Sequence, residues 1–219
     1  MTWIKICGIT NIEDARTAID AGADALGFVF YAKSPRNLDA ASVKAITTHL
    51  PDPIEKIGVF VNQPSAEMEI TAQSAGLTGL QMHFTKASAG GKLQEFSRSS
   101  YKNYLALPFQ LITGELDPAS YLAPPIDAIF LDSGTRDQPG GTGKTFDWKA
   151  AAPLVQDLSR RFKIVVAGGL TPENVADAIH ILKPWGVDVS SGVEAKPGKK
   201  DPGKLRAFIR AVRHMEVSV

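Results

Sequence analysis

The chain of 219 residues has a single cysteine, Cys7, so it can form no internal disulfide and, without other ligands, no zinc site. It has no apolar stretch of about 18 residues and no charged-then-apolar N-terminus resembling a signal peptide. Neither sign of charge is in excess. With 24 Lys and Arg against 23 Asp and Glu, the formal net charge is +1, which argues against a nucleic-acid or membrane surface. The four histidines (His49, His83, His180 and His214) lack metal-ligand spacing, and all but His83 fall on predicted helices. No Gly-x-Gly-x-x-Gly follows a strand. These absences predict no metal, no cofactor, no nucleic-acid partner and no membrane partner. An unpaired thiol fits a reducing compartment, so a soluble cytoplasmic protein is expected. No predicted helix face is apolar enough to mark a subunit interface, which leaves the oligomeric state open.

What is present is a core-forming composition, 44% hydrophobic and 21% charged, arranged in alternation. Apolar, often β-branched runs are each followed by a helical stretch. The runs are Trp3–Cys7, Ala25–Tyr31, Lys56–Val61, Gly79–His83, Tyr104–Phe109, Ala128–Leu131, Lys163–Ala167 and Trp185–Val189. Helices are predicted over Ile12–Ala21, ending at Gly22, over Asp39–Leu50, and from Ser65, read as its cap. Others are predicted over Lys92–Ser99, from Thr171-Pro172-Glu173 with Thr171 as N-cap, and over Pro202–His214. The fifth unit is the weakest, with Pro118, Pro124 and Pro125 leaving room for a short helix at most. Near-continuous apolar strands indicate a parallel sheet covered on both faces, and eight is the number that closes a barrel. An open doubly wound sheet is the competitor that periodicity does not exclude. No linker divides the chain, so residues 1–219 are read as one domain.

In a barrel the chemistry lies at the C-terminal ends of the strands. The polar residues there are Cys7, Arg36 in Ser34-Pro35-Arg36, Asn62, Gln81 and His83, Asp132 and Ser133, and Asp188, Ser190 and Ser191. Each could be no more than a polar cap or a hydrogen-bonded structural residue. A thiol, a guanidinium, an imidazole and an acid from four strands could equally face one mouth. Glycine adds a second constraint. Ala167-Gly168-Gly169-Leu170 ends strand seven and Ser190-Ser191-Gly192 ends strand eight. Loops after these two strands are the recurring phosphate site of the fold, where backbone N–H groups approach an anion. Gly140-Gly141-Thr142-Gly143-Lys144-Thr145 invites a P-loop reading, but Gln138 stands where the first glycine is required, and strand six ends well before it. A loop that closes over a ligand, with Gly143 donating to phosphate, fits that segment better.

Several segments together resemble the phosphoribosylanthranilate isomerase family. They are Lys5-Ile6-Cys7-Gly8-Ile9-Thr10, Gly27-Phe28-Val29-Phe30 with Ser34-Pro35-Arg36, Gly58-Val59-Phe60-Val61-Asn62 and Gln81-Met82-His83. They continue with Phe130-Leu131-Asp132-Ser133, Gly140-Gly141-Thr142-Gly143 with Phe146-Asp147-Trp148, Ala167-Gly168-Gly169-Leu170, and Gly186 to Glu194 with Pro197-Gly198-Lys199-Lys200-Asp201. The resemblance covers both ends and most strand termini and is poor only over 84–126. It implies an α/β (β/α)8 TIM barrel that performs an Amadori rearrangement in tryptophan biosynthesis, with a phosphosugar as its small-molecule partner. The family's general base matches Cys7 and its general acid Asp132; Arg36 matches the anthranilate-carboxylate contact and Asp188 a substrate contact. Gln81 and His83 are carried as substrate-binding, and Gly143, Gly168, Gly169, Ser190, Ser191 and Gly192 as phosphate-binding. One position departs from the pattern: Phe84 stands where glycine usually follows His83, and its bulk would narrow the mouth.

The histidine-pathway isomerase performs the same rearrangement with two carboxylates, but the end of strand one holds Cys7 rather than an acid. Indole-glycerol-phosphate synthase would carry a catalytic lysine and glutamate. A non-catalytic phosphosugar-binding barrel is the reading from another class, and it has no use for two proton-transfer residues.

Overall fold

The computed structural model describes residues 1–83, 100–112, 126–133 and 145–217. Its strands are β1 (Trp3–Cys7), β2 (Ala25–Val29), β3 (Glu55–Val61), β4 (Gly79–His83), β5 (Lys102–Pro108), β6 (Ala128–Asp132), β7 (Ile164–Val166) and β8 (Gly186–Val189). Each pairs in parallel with the next, and β8 returns to β1, setting Trp3 opposite Gly186 and Lys5 opposite Asp188. That last ladder closes the barrel and removes the open-sheet alternative, in which the first and last strands would each keep an unpaired edge. The helices are α1 (Ile12–Ala21), α2 (Ala40–Thr47), α3 (Ser65–Ala75), the four-residue α4 (Phe109–Ile112), α5 (Trp148–Leu158), α6 (Val175–Leu182) and α7 (Pro202–Val217).

Alternation along each strand sorts the side chains into two cores. From β1, Ile4 and Ile6 point outward into the aliphatic layer under the helices, while Trp3, Lys5 and Cys7 point into the barrel. The N-terminal half of the interior is filled by aromatic rings. Trp3 stacks on Trp185 at 5.1 Å, and Phe130 meets Trp3 and Tyr104 edge-on at 6.1 and 5.6 Å. Such tilted and edge-to-face pairs are the favoured aromatic geometries. Above them, Cys7 packs with Val29 and Val59. The interior is thus solid at one end and open at the other.

Local capping explains several boundaries. Asn11 accepts the Asp14 N–H with its side chain, and Gly22 ends α1 at φ 103°. Asp39 caps α2 through the Ser42 N–H. Ser65, expected to cap α3, is instead its first residue; Pro64 takes the N-cap position and no side chain bonds there. Thr171 does not open α6 directly. Its Oγ1 accepts the Glu173 N–H at 3.3 Å, and its own N–H donates to Asn174 Oδ1 at 2.8 Å. Asn174 also donates to the Gly169 carbonyl at 3.0 Å. Its amide therefore ties down the loop after β7, and regular helix begins only at Val175. His49 lies in the turn after α2, not on the helix.

One element is unanticipated. After β8 a 3-10 turn (Ser191–Val193) leads into an antiparallel hairpin of β9 (Glu194–Lys196) and β10 (Lys199–Lys200), turning at Gly198 with φ 79°. Buried Asp14 of α1 holds it, accepting the Lys200 N–H at 2.8 Å and pairing with Lys199 Nζ at 3.0 Å. The helix expected over Lys92–Ser99, Phe84, the segment Thr113–Pro125 and the loop containing Gly143 lie outside the described residues. No helix among the described residues is long and apolar enough to cross a membrane.

Candidate active site

A cavity of about 590 Å³ opens at the C-terminal ends of the strands. Its volume suits a ligand of ordinary small-molecule size. Nine of the residues singled out from sequence line it: Cys7 from β1, Arg36 from the loop after β2, His83 from β4, Asp132 from β6, Gly168 and Gly169 after β7, and Asp188, Ser190 and Ser191 at β8. Two do not. Gln81 lies one layer deeper, buried, its amide nitrogen 3.1 Å from His83 Nε2, so it acts on the ring rather than on the cavity. Gly192 sits behind the wall, against the backbone of Leu170. Gly143 is outside the described residues.

The charged groups form two clusters that the sequence reading missed in part. Lys5 is fully buried and pairs with Asp188 at 3.1 Å, beneath Cys7. Buried Glu194, at the start of β9, takes Arg36 in a two-point grip, Nε–Oε1 at 2.8 Å and Nη2–Oε2 at 2.7 Å. The same carboxylate pairs with Lys200 Nζ at 3.1 Å. The Nε edge of the Arg36 fork is thus spent on Glu194. What remains is the Nη1 pair and the second Nη2 hydrogen, an end-on edge able to grip a second carboxylate. Glu194 therefore orients Arg36, and one carboxylate between two cations leaves that wall net positive.

Each ionisable group responds to this setting. Burial pushes the Cys7 thiol up and Asp188 adds to this; Lys5 and Lys200 pull it down without cancelling the rise. Burial opposes the Lys5 charge, but Asp188 and Cys7 outweigh it and leave Lys5 above its ordinary value. Burial also raises Asp188, against the pull of Lys5, with the Asp132 charge adding to the rise. His83 is held down to about 4, first by burial and then by Lys5, so at neutral pH it is an uncharged hydrogen-bonding ring. Because the unfolded histidine titrates near 6.5, the fold binds fewer protons than the unfolded chain between these values. Its contribution to stability is complete above about pH 6.5 and is lost as pH falls towards 4. His83→Gln is expected to flatten part of that acid decline. Melting temperatures of both proteins from pH 7 to pH 4 check this, and parallel curves would refute it.

The two loops at the far side suit an anion. Gly168 and Gly169 are consecutive left-handed residues, φ 81° and 66°, which only glycine adopts cheaply. A Cβ on Gly168 would come within 2.8 Å of Asp132 Oδ1, so the bare backbone also makes room for that carboxylate. Among the described residues, no side-chain cluster could hold a metal ion. Lys5, Glu194 and Lys200 escaped the sequence reading because charged residues default to the surface. The available signal was Lys5, a charge in an apolar run with the same strand parity as Cys7.

A family profile described as N-(5'-phosphoribosyl)anthranilate (PRA) isomerase matches residues 4–211. An N-(5'-phosphoribosyl)anthranilate isomerase of Pelobacter propionicus is 43% identical over 97% of this chain and 96% of its own, and one from Pseudomonas fluorescens is 44% identical over 95% and 97%. The crystal structure of the Thermotoga maritima phosphoribosyl anthranilate isomerase superposes with a TM-score of 0.82 at 35% identity, covering 98% of this chain and all of that one. A phosphoribosyl anthranilate isomerase solved with reduced 1-(o-carboxyphenylamino)-1-deoxyribulose 5-phosphate gives a TM-score of 0.80 at 34% identity, over 98% of this chain and all of its own. The chain belongs to the N-(5'-phosphoribosyl)anthranilate isomerase family.

Proposed function

We propose that this chain converts N-(5'-phosphoribosyl)anthranilate into 1-(o-carboxyphenylamino)-1-deoxyribulose 5-phosphate in tryptophan biosynthesis, with Asp132 as general acid and Cys7 as general base. The observation that carries the residue assignment is convergence. An acid from β6, a thiol from β1, an oriented guanidinium and two glycine-bearing loops all line one cavity.

Asp132 protonates the ribose ring oxygen as the C1–O bond breaks, and the nitrogen lone pair forms the C1=N bond of the open-chain Schiff base. The Cys7 thiolate then takes the C2 proton. The electrons of that C–H bond become the C1=C2 bond of an enolamine, and the C=N electrons return to nitrogen. The enolamine tautomerises to the ketone. The free edge of Arg36 holds the anthranilate carboxylate, and Gly168, Gly169, Ser190 and Ser191 hold the phosphate, with Gly192 setting the spacing of their loops. Anchoring both ends of the substrate fixes the reacting carbons between the two proton-transfer groups. Asp188 faces the sugar, and His83, braced by Gln81, offers a neutral ring. The chain works as one domain and without a cofactor. An unpaired thiol at the centre of the site accords with a cytoplasmic, reducing setting.

The test is loss of anthranilate-type fluorescence when the substrate, generated in situ, meets purified protein. Turnover supports the reading. Saturable binding without turnover would overturn it and leave a phosphosugar-binding barrel.

A further inference from the structure

We infer that the Lys5 ammonium is the counter-charge that supports the Cys7 thiolate when it forms, with Asp188 orienting that ammonium. The inference deepens the assignment of Cys7 as the base and rests on it.

Lys5 occupies a barrel-interior position and is fully buried. Lysine is almost never buried so completely unless paired. Its pair with Asp188 at 3.1 Å satisfies the charge but does not explain its presence, since buried ion pairs are commonly replaceable by hydrophobic residues without loss of stability. The geometry around it supplies the explanation. Lys5 and Cys7 are two residues apart on one strand and project to the same side. A Cβ built on Gly27 would lie 2.9 Å from Cys7 Sγ and 2.9 Å from Lys5 Cε, so both side chains crowd the space that glycine leaves open. The Phe130 ring stands 5.1 Å from Lys5 Nζ and presents its face to the charge. The ammonium is thus confined among a ring, a carboxylate and a sulfur, and of that set the sulfur and the carboxylate face the cavity.

The other charges near Cys7 are already committed. Lys200 of β10 and Arg36 share Glu194 between them. His83 of β4 is neutral, Asp188 of β8 disfavours a second anion at the sulfur, and Asp132 of β6 adds negative charge beside Asp188. Lys5 stands first among the groups that pull the thiol down against burial. A thiolate formed here has Lys5 as its main support, and Lys5, which does not line the cavity, acts on the substrate through Cys7 and Asp188. It is a positioning residue.

The single cysteine permits a readout independent of turnover. Iodoacetamide alkylation of the full-length protein, followed from pH 6 to pH 11, gives a rate midpoint that reports thiolate formation and a high-pH plateau that reports access. Lys5→Met is expected to raise the midpoint by about one pH unit or more, leave the plateau unchanged, and lower kcat/KM at pH 7.5 about tenfold. Lys5→Arg, which keeps the charge, is expected to restore most of the midpoint shift. Should Lys5→Met fail to fold with Asp188 left unpaired, Lys5→Met combined with Asp188→Asn decides the matter, its midpoint lying above that of wild type by less than loss of the Lys5 charge alone would give, because the opposing Asp188 charge is gone as well. A midpoint at or below the wild-type value in whichever variant folds overturns the inference. If the midpoint moves while wild type shows no turnover, the electrostatic role stands and the assignment of Cys7 as the isomerase base falls.

Discussion

Asp132→Asn is expected to lower kcat/KM by roughly 10²–10⁴-fold, the usual span for a positioned general acid. Asparagine keeps the shape and the hydrogen-bonding reach of the side chain and loses only the ability to deliver a proton. Asp132 is buried at the end of β6, its Oδ1 beside the bare backbone of Gly168, so an isosteric change leaves the packing intact. The loss should fall on kcat with KM little altered, the pattern of a group that acts in the transition state. Cys7→Ser is expected to lose a comparable factor for a different reason: a hydroxyl in the same place ionises far less readily than a thiol, even beside Lys5. If the two groups serve successive proton transfers, as proposed, the double variant should fall well short of the product of the single losses. Steady-state kinetics on the three variants, with thermal melts as a folding control, check all of this. An Asp132→Asn protein retaining more than about a tenth of wild-type kcat/KM would place the acid elsewhere.

Gly192→Ala is expected to raise KM at least about tenfold and lower kcat as well, although Gly192 does not line the cavity. An added Cβ would collide with the Leu170 carbonyl oxygen, with the Leu170 carbonyl carbon at 2.9 Å and Thr171 Cα at 3.2 Å close behind. These are backbone atoms, pinned in turn by the bonds Asn174 makes to Thr171 and Gly169. No flexible side chain is available to move aside, so the loops after β7 and β8 must separate. If these loops clasp the phosphate between them, the widened gap weakens the remote anchor that positions the reacting carbons. Competitive inhibition by inorganic phosphate should weaken in parallel. The overpacking should also cost about 1–3 kcal/mol of stability, a fall of roughly 2–10 °C in melting temperature for a chain of this size. A lowered melting temperature with KM and phosphate inhibition unchanged would mean that phosphate binds elsewhere.

Much of this molecule could be read from sequence wherever the determining forces are local. The boundaries of β1, β4 and α1 coincide with those expected, because apolar alternation, the Asn11 cap and the left-handed Gly22 act within a few residues of one another. The site residues at strand ends followed from the same alternation, once the barrel geometry said which end carries chemistry. Tertiary structure decided the remainder. Only the β8–β1 ladder distinguishes a closed barrel from an open sheet, because that contact joins the two ends of the chain. Only packing across the chain buries Lys5 against Asp188 and Glu194 against Arg36, pairs separated by 183 and 158 positions. The start of α6 moved to Val175 because Asn174 turns its amide back onto the loop after β7 instead of capping the helix. Alternation told which side of a strand Lys5 faces; what an ammonium meets there, and hence what it does to Cys7, depended on charges brought in from other strands.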